Sequence, residues 1–130
     1  MADLRFEGKN NQKKIISAYA SDIIATSENM DETLFTLPEA SLVTRAYAVV
    51  LTASGTATDT VDIKVGSTVV ADEVVVGVTG VQKGTQTEAY FATGGVVTVV
   101  AGDDAPDDAG RIKIVVEYIE TELTNGQYTD

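Results

Sequence analysis

The stretch RIKIVVEYIE, residues 111–120, constrains the fold more than any other part of the chain. On an extended backbone Ile112, Ile114, Val116 and Tyr118 line one face, while Lys113, Val115, Glu117 and Ile119 line the other, because successive side chains of a strand point to opposite sides. TVDIKV, residues 60–65, repeats the pattern more cleanly, with Val61, Ile63 and Val65 against Asp62 and Lys64. Two such segments predict a sheet with one face turned to a core.

The remaining apolar residues are of the same kind. Val leads the apolar set, and aromatics make up only 6%. Val, Ile and Thr are stiff at χ1 and suit a pleated surface. They come in short runs between turn residues. TLFTL, 33–37, ends at Pro38, which removes a backbone donor. LVTRAYAVVLTA, 42–53, alternates poorly but is too β-branched for a helix. GST, 66–68, closes a hairpin with VVA behind it, and DEVVVGV, 72–78, reads as a further strand. TGVQKGTQ reads as a loop; TEAYFA, 87–92, and VVTVVAG, 96–102, read as two strands joined by a tight Gly turn. KKIISAYASDIIATS is either a strand pair or one strand bulged near residues 20–22, and ENMDE, 28–32, is a polar turn.

The sum is about eight to ten short strands at roughly the 8–12-residue spacing of a sandwich or barrel. No 20–50-residue repeat and no long helical pattern interrupts it. The fold class is therefore all-β: a single-domain β-sandwich of the jelly-roll kind over residues 15–122, preceded by a mobile arm, 1–14, and followed by a polar tail, 123–130.

Charge divides the chain. The formal net charge is −11. Residues 1–14 carry Arg5, Lys9, Lys13 and Lys14 against Asp3 and Glu7, while the remainder holds five basic and eighteen acidic groups. An acidic body repels nucleic acid, whose binding needs cations to displace counterions. A basic arm can reach an acidic patch that the body would repel. Leu4 and Phe6 supply apolar anchors beside Arg5, Lys9, Lys13 and Lys14, and these six form the candidate partner-binding segment; a plain tail is the alternative. No run approaches the ~20 apolar residues that span a bilayer. No long apolar run follows the first charges, so no signal peptide is expected.

Candidate chemistry is sparse. The chain has no Cys and no His, which removes thiolate nucleophiles and the commonest general base. GDDAPDD, 102–108, places Asp103-Asp104 and Asp107-Asp108 as adjacent pairs around a Pro. Neighbouring side chains in a turn diverge, whereas calcium loops place acids at alternate positions, so a solvated turn is expected. GVTGVQKG lacks the Gly-Lys-Ser/Thr order of a phosphate loop. Asp72-Glu73 is an acid pair without an aromatic cleft to hold a sugar. No enzyme activity, cofactor or metal is expected. The second face of 111–120 is half apolar, through Val115 and Ile119. It either packs under a loop or forms a contact between subunits.

LFTLPEASLVTRAYAVVLTASGTATDTVDIKVG, then YFATGGVVTVVAG and a closing GRIKIVVEYIE, resemble the jelly-roll capsid decoration, or cement, proteins of tailed bacteriophages. The likeness covers Leu34 to Glu120. It implies a non-enzymatic virion protein that binds a major capsid protein on the capsid exterior, commonly as a homotrimer, after assembly in the host cytoplasm. No nucleic acid or membrane partner is implied. A carbohydrate-binding β-sandwich of a virion appendage is the other reading. It asks for exposed aromatics, which are few.

Overall fold

Ten strands follow one another in the described residues of this computed structural model, which are the backbone of 16–25 together with 31–106 and 110–121. They are β1 (Ile16–Ala25), β2 (Asp31–Leu37), β3 (Ser41–Thr52), β4 (Thr60–Val65), β5 (Thr68–Val75), β6 (Gly80–Gln82), β7 (Thr85–Gln86), β8 (Ala89–Phe91), β9 (Gly95–Ala101) and β10 (Gly110–Glu120). One sheet runs β1-β10-β3-β6, with β8 also on β3; the other runs β2-β9-β4-β5-β7. All the pairings are antiparallel. Among the described strands only β4 and β5 follow each other within one sheet; every other step crosses to the opposite sheet. This is the wiring of a jelly roll, and it pairs the first and last strands. The expected all-β sandwich is what forms. The arm 1–14 and the tail 123–130 lie outside the described residues.

The core lies where the alternation put it. Ile112, Ile114, Val116 and Tyr118 of β10 are buried, and so are Val61, Ile63 and Val65 of β4. Val43, Ala46, Ala48 and Val50 meet them from β3, and Val97 and Val99 from β9. Each fully buried Val or Ile contributes about 1.5–3 kcal/mol relative to exposure. The poor alternation of β3 has a structural cause. Its register against β10 shifts between Glu117 and Tyr118, which leaves Thr44 as an extra residue. The bulge changes the parity of the strand, so Val43 and Ala46, three apart, both point inward. A second shift between Arg111 and Ile112 does the same for Leu51, which is 44% exposed.

Four local expectations are corrected. The segment before residue 26 is neither a strand pair nor bulged near 20–22: β1 runs in unbroken register from Ile16 opposite Ile119 to Ala25 opposite Gly110. The VVA and DEVVV runs are one strand, β5, because a bulge absorbs Asp72 and Glu73 instead of ending the strand. The expected loop after Val78 contains two short strands, β6 and β7. Finally, β8 and β9 are not a hairpin. The turn is tight, with Gly94 N–H donating to Phe91 O at 3.1 Å, but it carries the chain from one sheet to the other. Gly94 holds φ +75°, and a Cβ there would collide with the Leu37 carbonyl oxygen.

Candidate functional site

Two surfaces gather the polar chemistry of the described residues. The first is the outer face of the sheet built on β3 and β10. Val115 and Ile119 sit there half-buried, Val115 paired with Tyr47 and Ile119 with Leu42. Tyr90 of β8 lies opposite Leu42, and Val81 of β6 opposite Val49. Tyr90 and Val81 are 52% and 56% exposed. The face is thus apolar and open on both sides of a polar centre. That centre is Arg45, whose guanidinium donates to Glu117 Oε2 at 2.9 Å and lies 5.1 Å from the Tyr47 ring centre. The Tyr47 hydroxyl donates to the same oxygen at 3.1 Å. The Arg45 hydrogen bond is the main reason that the Glu117 carboxyl is held below its ordinary range, and Tyr47 adds to it. Burial is the first cause that pushes the Tyr47 hydroxyl up.

The second surface is acidic. Between Val61 and Ile63 the β4–β5 register slips, so that Asp72 and Glu73 lie opposite Asp62 alone. Glu73 takes φ +56° at this bulge, a conformation that costs a non-Gly residue about 1 kcal/mol or more. An oxygen from each of Asp62, Asp72 and Glu73 lies within 4.8 Å of the others. Hard cations take carboxylate sets of this sort. The chain also answers the crowding by itself. Glu73 N–H donates to Asp62 Oδ1 at 2.8 Å, and the Glu73 carboxylate accepts from the Thr60 hydroxyl at 2.8 Å and from Asp103 N–H at 2.9 Å. Burial and the neighbouring acids push the Asp62 carboxyl up to about 6.

The same contacts hold the start of the acidic loop. Thr60 N–H donates to Asp104 O at 2.7 Å, and Gly102 N–H to Thr60 O at 2.9 Å. Asp103 and Asp104 are exposed, in keeping with the expected turn, and the three clustered carboxylates belong to the strands beside it. Asp107 and Asp108 lie outside the described residues. So do Leu4, Arg5, Phe6, Lys9, Lys13 and Lys14. Sequence reasoning weighed the Asp72-Glu73 pair without its partner Asp62. Hairpin counting from the Gly66-Ser67 turn puts Ala71 opposite Asp62 and Asp72 one position further on; two register shifts bring the acid pair into line with Asp62, and nothing in the sequence signals them. A further acid, Asp59, is wholly buried and pins a loop: its Oδ2 accepts from the Ser54 hydroxyl at 2.6 Å and from Thr56 N–H at 3.1 Å.

No protein-family model and no curated protein matches the chain. Its fold is similar to that of a chain in the acidic stable capsid structure of Helicobacter pylori bacteriophage KHP30. The TM-score is 0.51 at 18% sequence identity, over 88% of this chain and 98% of that one. The likeness is one of fold, and it takes in nearly the whole of both chains.

Proposed function

We propose that this protein is a non-enzymatic structural component of a bacteriophage virion, which binds the outer surface of the capsid through the major capsid protein and stabilises it. The observation that carries this reading is the single jelly roll that matches, over almost its entire length, a chain of a phage capsid structure. The acidic surface supports an exterior position, since packaged nucleic acid repels it. Copies bound side by side on one shell need only modest contacts each. The outer face around Val115 and Ile119 is the subunit contact of a homotrimer, and the segment with Leu4, Arg5, Phe6, Lys9, Lys13 and Lys14 docks on the shell.

The test uses capsids of the encoding virus prepared without this protein. Added protein is expected to co-sediment with them and to raise their melting temperature. Deleting residues 2–12 is expected to weaken binding and reduce its salt dependence, because exposed charge steering fades over a Debye length of about 8 Å at physiological salt. Failure of the intact protein to sediment with the capsids overturns the reading. Full binding by the truncation moves the docking surface to the sandwich.

A further inference from the structure

The outward strand edges of this sandwich are not alike. A sheet edge presents unpaired N–H and C=O groups to any other strand, and proteins blunt edges with shortness, charge or bulges. Here β6 and β8 have three residues each and β7 has two. β2 has seven, but it opens with Asp31 and Glu32 and slips register between Thr33 and Phe35. β1 is neither short nor bulged, and carries little charge. It is ten residues long, its pairing to β10 is unbroken, it contains no Pro, and Asp22 is its single charged residue. Among the described residues no strand lies on its other side.

We propose that the β1 edge is a docking strand, and that its partner is β1 of a second copy, paired antiparallel across a two-fold axis. Such pairing keeps both sheets facing the same way only if one residue of β1 lies opposite itself, because successive side chains alternate in face. The strand's charge pattern then selects the register. Centring on Asp22 would oppose two carboxylates, which is destabilising. Centring on Ala20 places Asp22 opposite Ala18, and centring on Ser21 places it opposite Ala20. Both registers put small uncharged residues at the axis and overlap nearly the whole strand. The carboxylate cluster lies on β4 and β5 of the other sheet, so the edges that meet are close to neutral while the bodies repel. Salt therefore strengthens this contact, opposite to its expected effect on the basic arm. The contact extends the β1-β10-β3-β6 sheet through the axis and does not depend on the virion reading.

The full-length chain has no cysteine, so single cysteines report the contact cleanly. A20C and S21C, made separately, are each treated with a short thiol-to-thiol cross-linker, with E32C on the β2 edge as control. The expected result is a covalent dimer from A20C or S21C, none from E32C, and at least tenfold weaker dimerisation by sedimentation in A20K, whose position pairs with Val115 on the outer face. V115D, which disturbs the outer face, leaves the A20C cross-link in place. Circular dichroism on each variant confirms a folded sandwich. If neither cysteine cross-links in folded protein, or if A20K associates as tightly as the unaltered chain, the second copy is not the occupant of this edge.

Discussion

Glu73 donates its backbone N–H to Asp62 Oδ1 at 2.8 Å while its own carboxylate lies in the same cluster as that of Asp62. One residue therefore supplies both the attraction and part of the repulsion that Asp62 feels. Burial is the largest influence and pushes the Asp62 carboxyl up. The Glu73 N–H works against it, and the hydrogen bond and charge of Asp72, then the charge of Glu73, add to it, with a net result of about 6.

That value makes the fold respond to acid. The folded carboxyl holds its proton more tightly than the unfolded one, whose ordinary value is 3.8. Its stabilising protonation is complete below that value and is lost as pH rises through about 6. Glu117 has the opposite sign: Arg45 holds its carboxyl low, so its contribution is lost as pH falls. The comparison must therefore be between the protein and Asp62→Asn. The melting temperature of the unaltered chain is expected to gain on that of the variant by a few degrees between pH 7 and pH 5, since ~1 kcal/mol moves a domain of this size by roughly 4 °C. A constant difference across that range contradicts the assignment.

At Glu73 the backbone and the side chain have separate effects. Glu73→Ala and Glu73→Gly both remove the acceptor for the Thr60 hydroxyl and Asp103 N–H. Only Gly adopts φ +56° without steric cost. Chemical denaturation should show both variants less stable, with the Ala variant worse than the Gly variant by about 1 kcal/mol. Equal losses would mean that the bulge relaxes and Glu73 is not held there.

The difference between what could be read in the sequence and what could not follows from the range of the forces. Alternation is local, so the inward faces of residues 60–65 and 111–120 were legible. Parity changes were not, because the Thr44 bulge arises only from the pairing of β3 with β10. The assignment of a strand to a sheet is also non-local: the turn at Gly94 looks like a hairpin until β8 is placed on β3 and β9 between β2 and β4. The acid triad was hidden for the same reason, since Asp62 is ten residues from Asp72 in sequence and meets it only across a bulged hairpin. The open edge of β1 becomes visible only once every other strand has found its neighbours.

Gly94 tests that crossing. Its φ of +75° already disfavours a side chain, and the Leu37 carbonyl oxygen occupies the place of a Cβ. Gly94→Ala is expected to cost at least ~2 kcal/mol by denaturant unfolding, combining left-handed strain with displaced backbone. Gly66→Ala, at φ +62° with open space around it, should cost only about 1 kcal/mol. Equal costs would mean that the close approach at the crossing is not maintained in solution.

Asp59 ties the loop after β3 to the sandwich. Its carboxylate accepts from Ser54 and Thr56, and its backbone carbonyl accepts from Val76 N–H at 2.8 Å while Ser54 N–H donates to Val76 O at 3.0 Å. The side chain is wholly buried. Removing it leaves the buried Ser54 hydroxyl without this acceptor in a dry site, which costs about 1–3 kcal/mol, whereas Thr56 is exposed and its amide can turn to water. Asp59→Ala is therefore expected to lose ~1–3 kcal/mol of unfolding free energy. Asp59→Asn keeps one acceptor oxygen and should lose less. Hydrogen exchange at Val76 and Ser54 should rise in the Ala variant while Ile114, in the middle of β10, stays protected. If exchange rises equally at all three amides, Asp59 supports the whole fold rather than this loop. If stability does not change, the loop is held by its backbone hydrogen bonds alone.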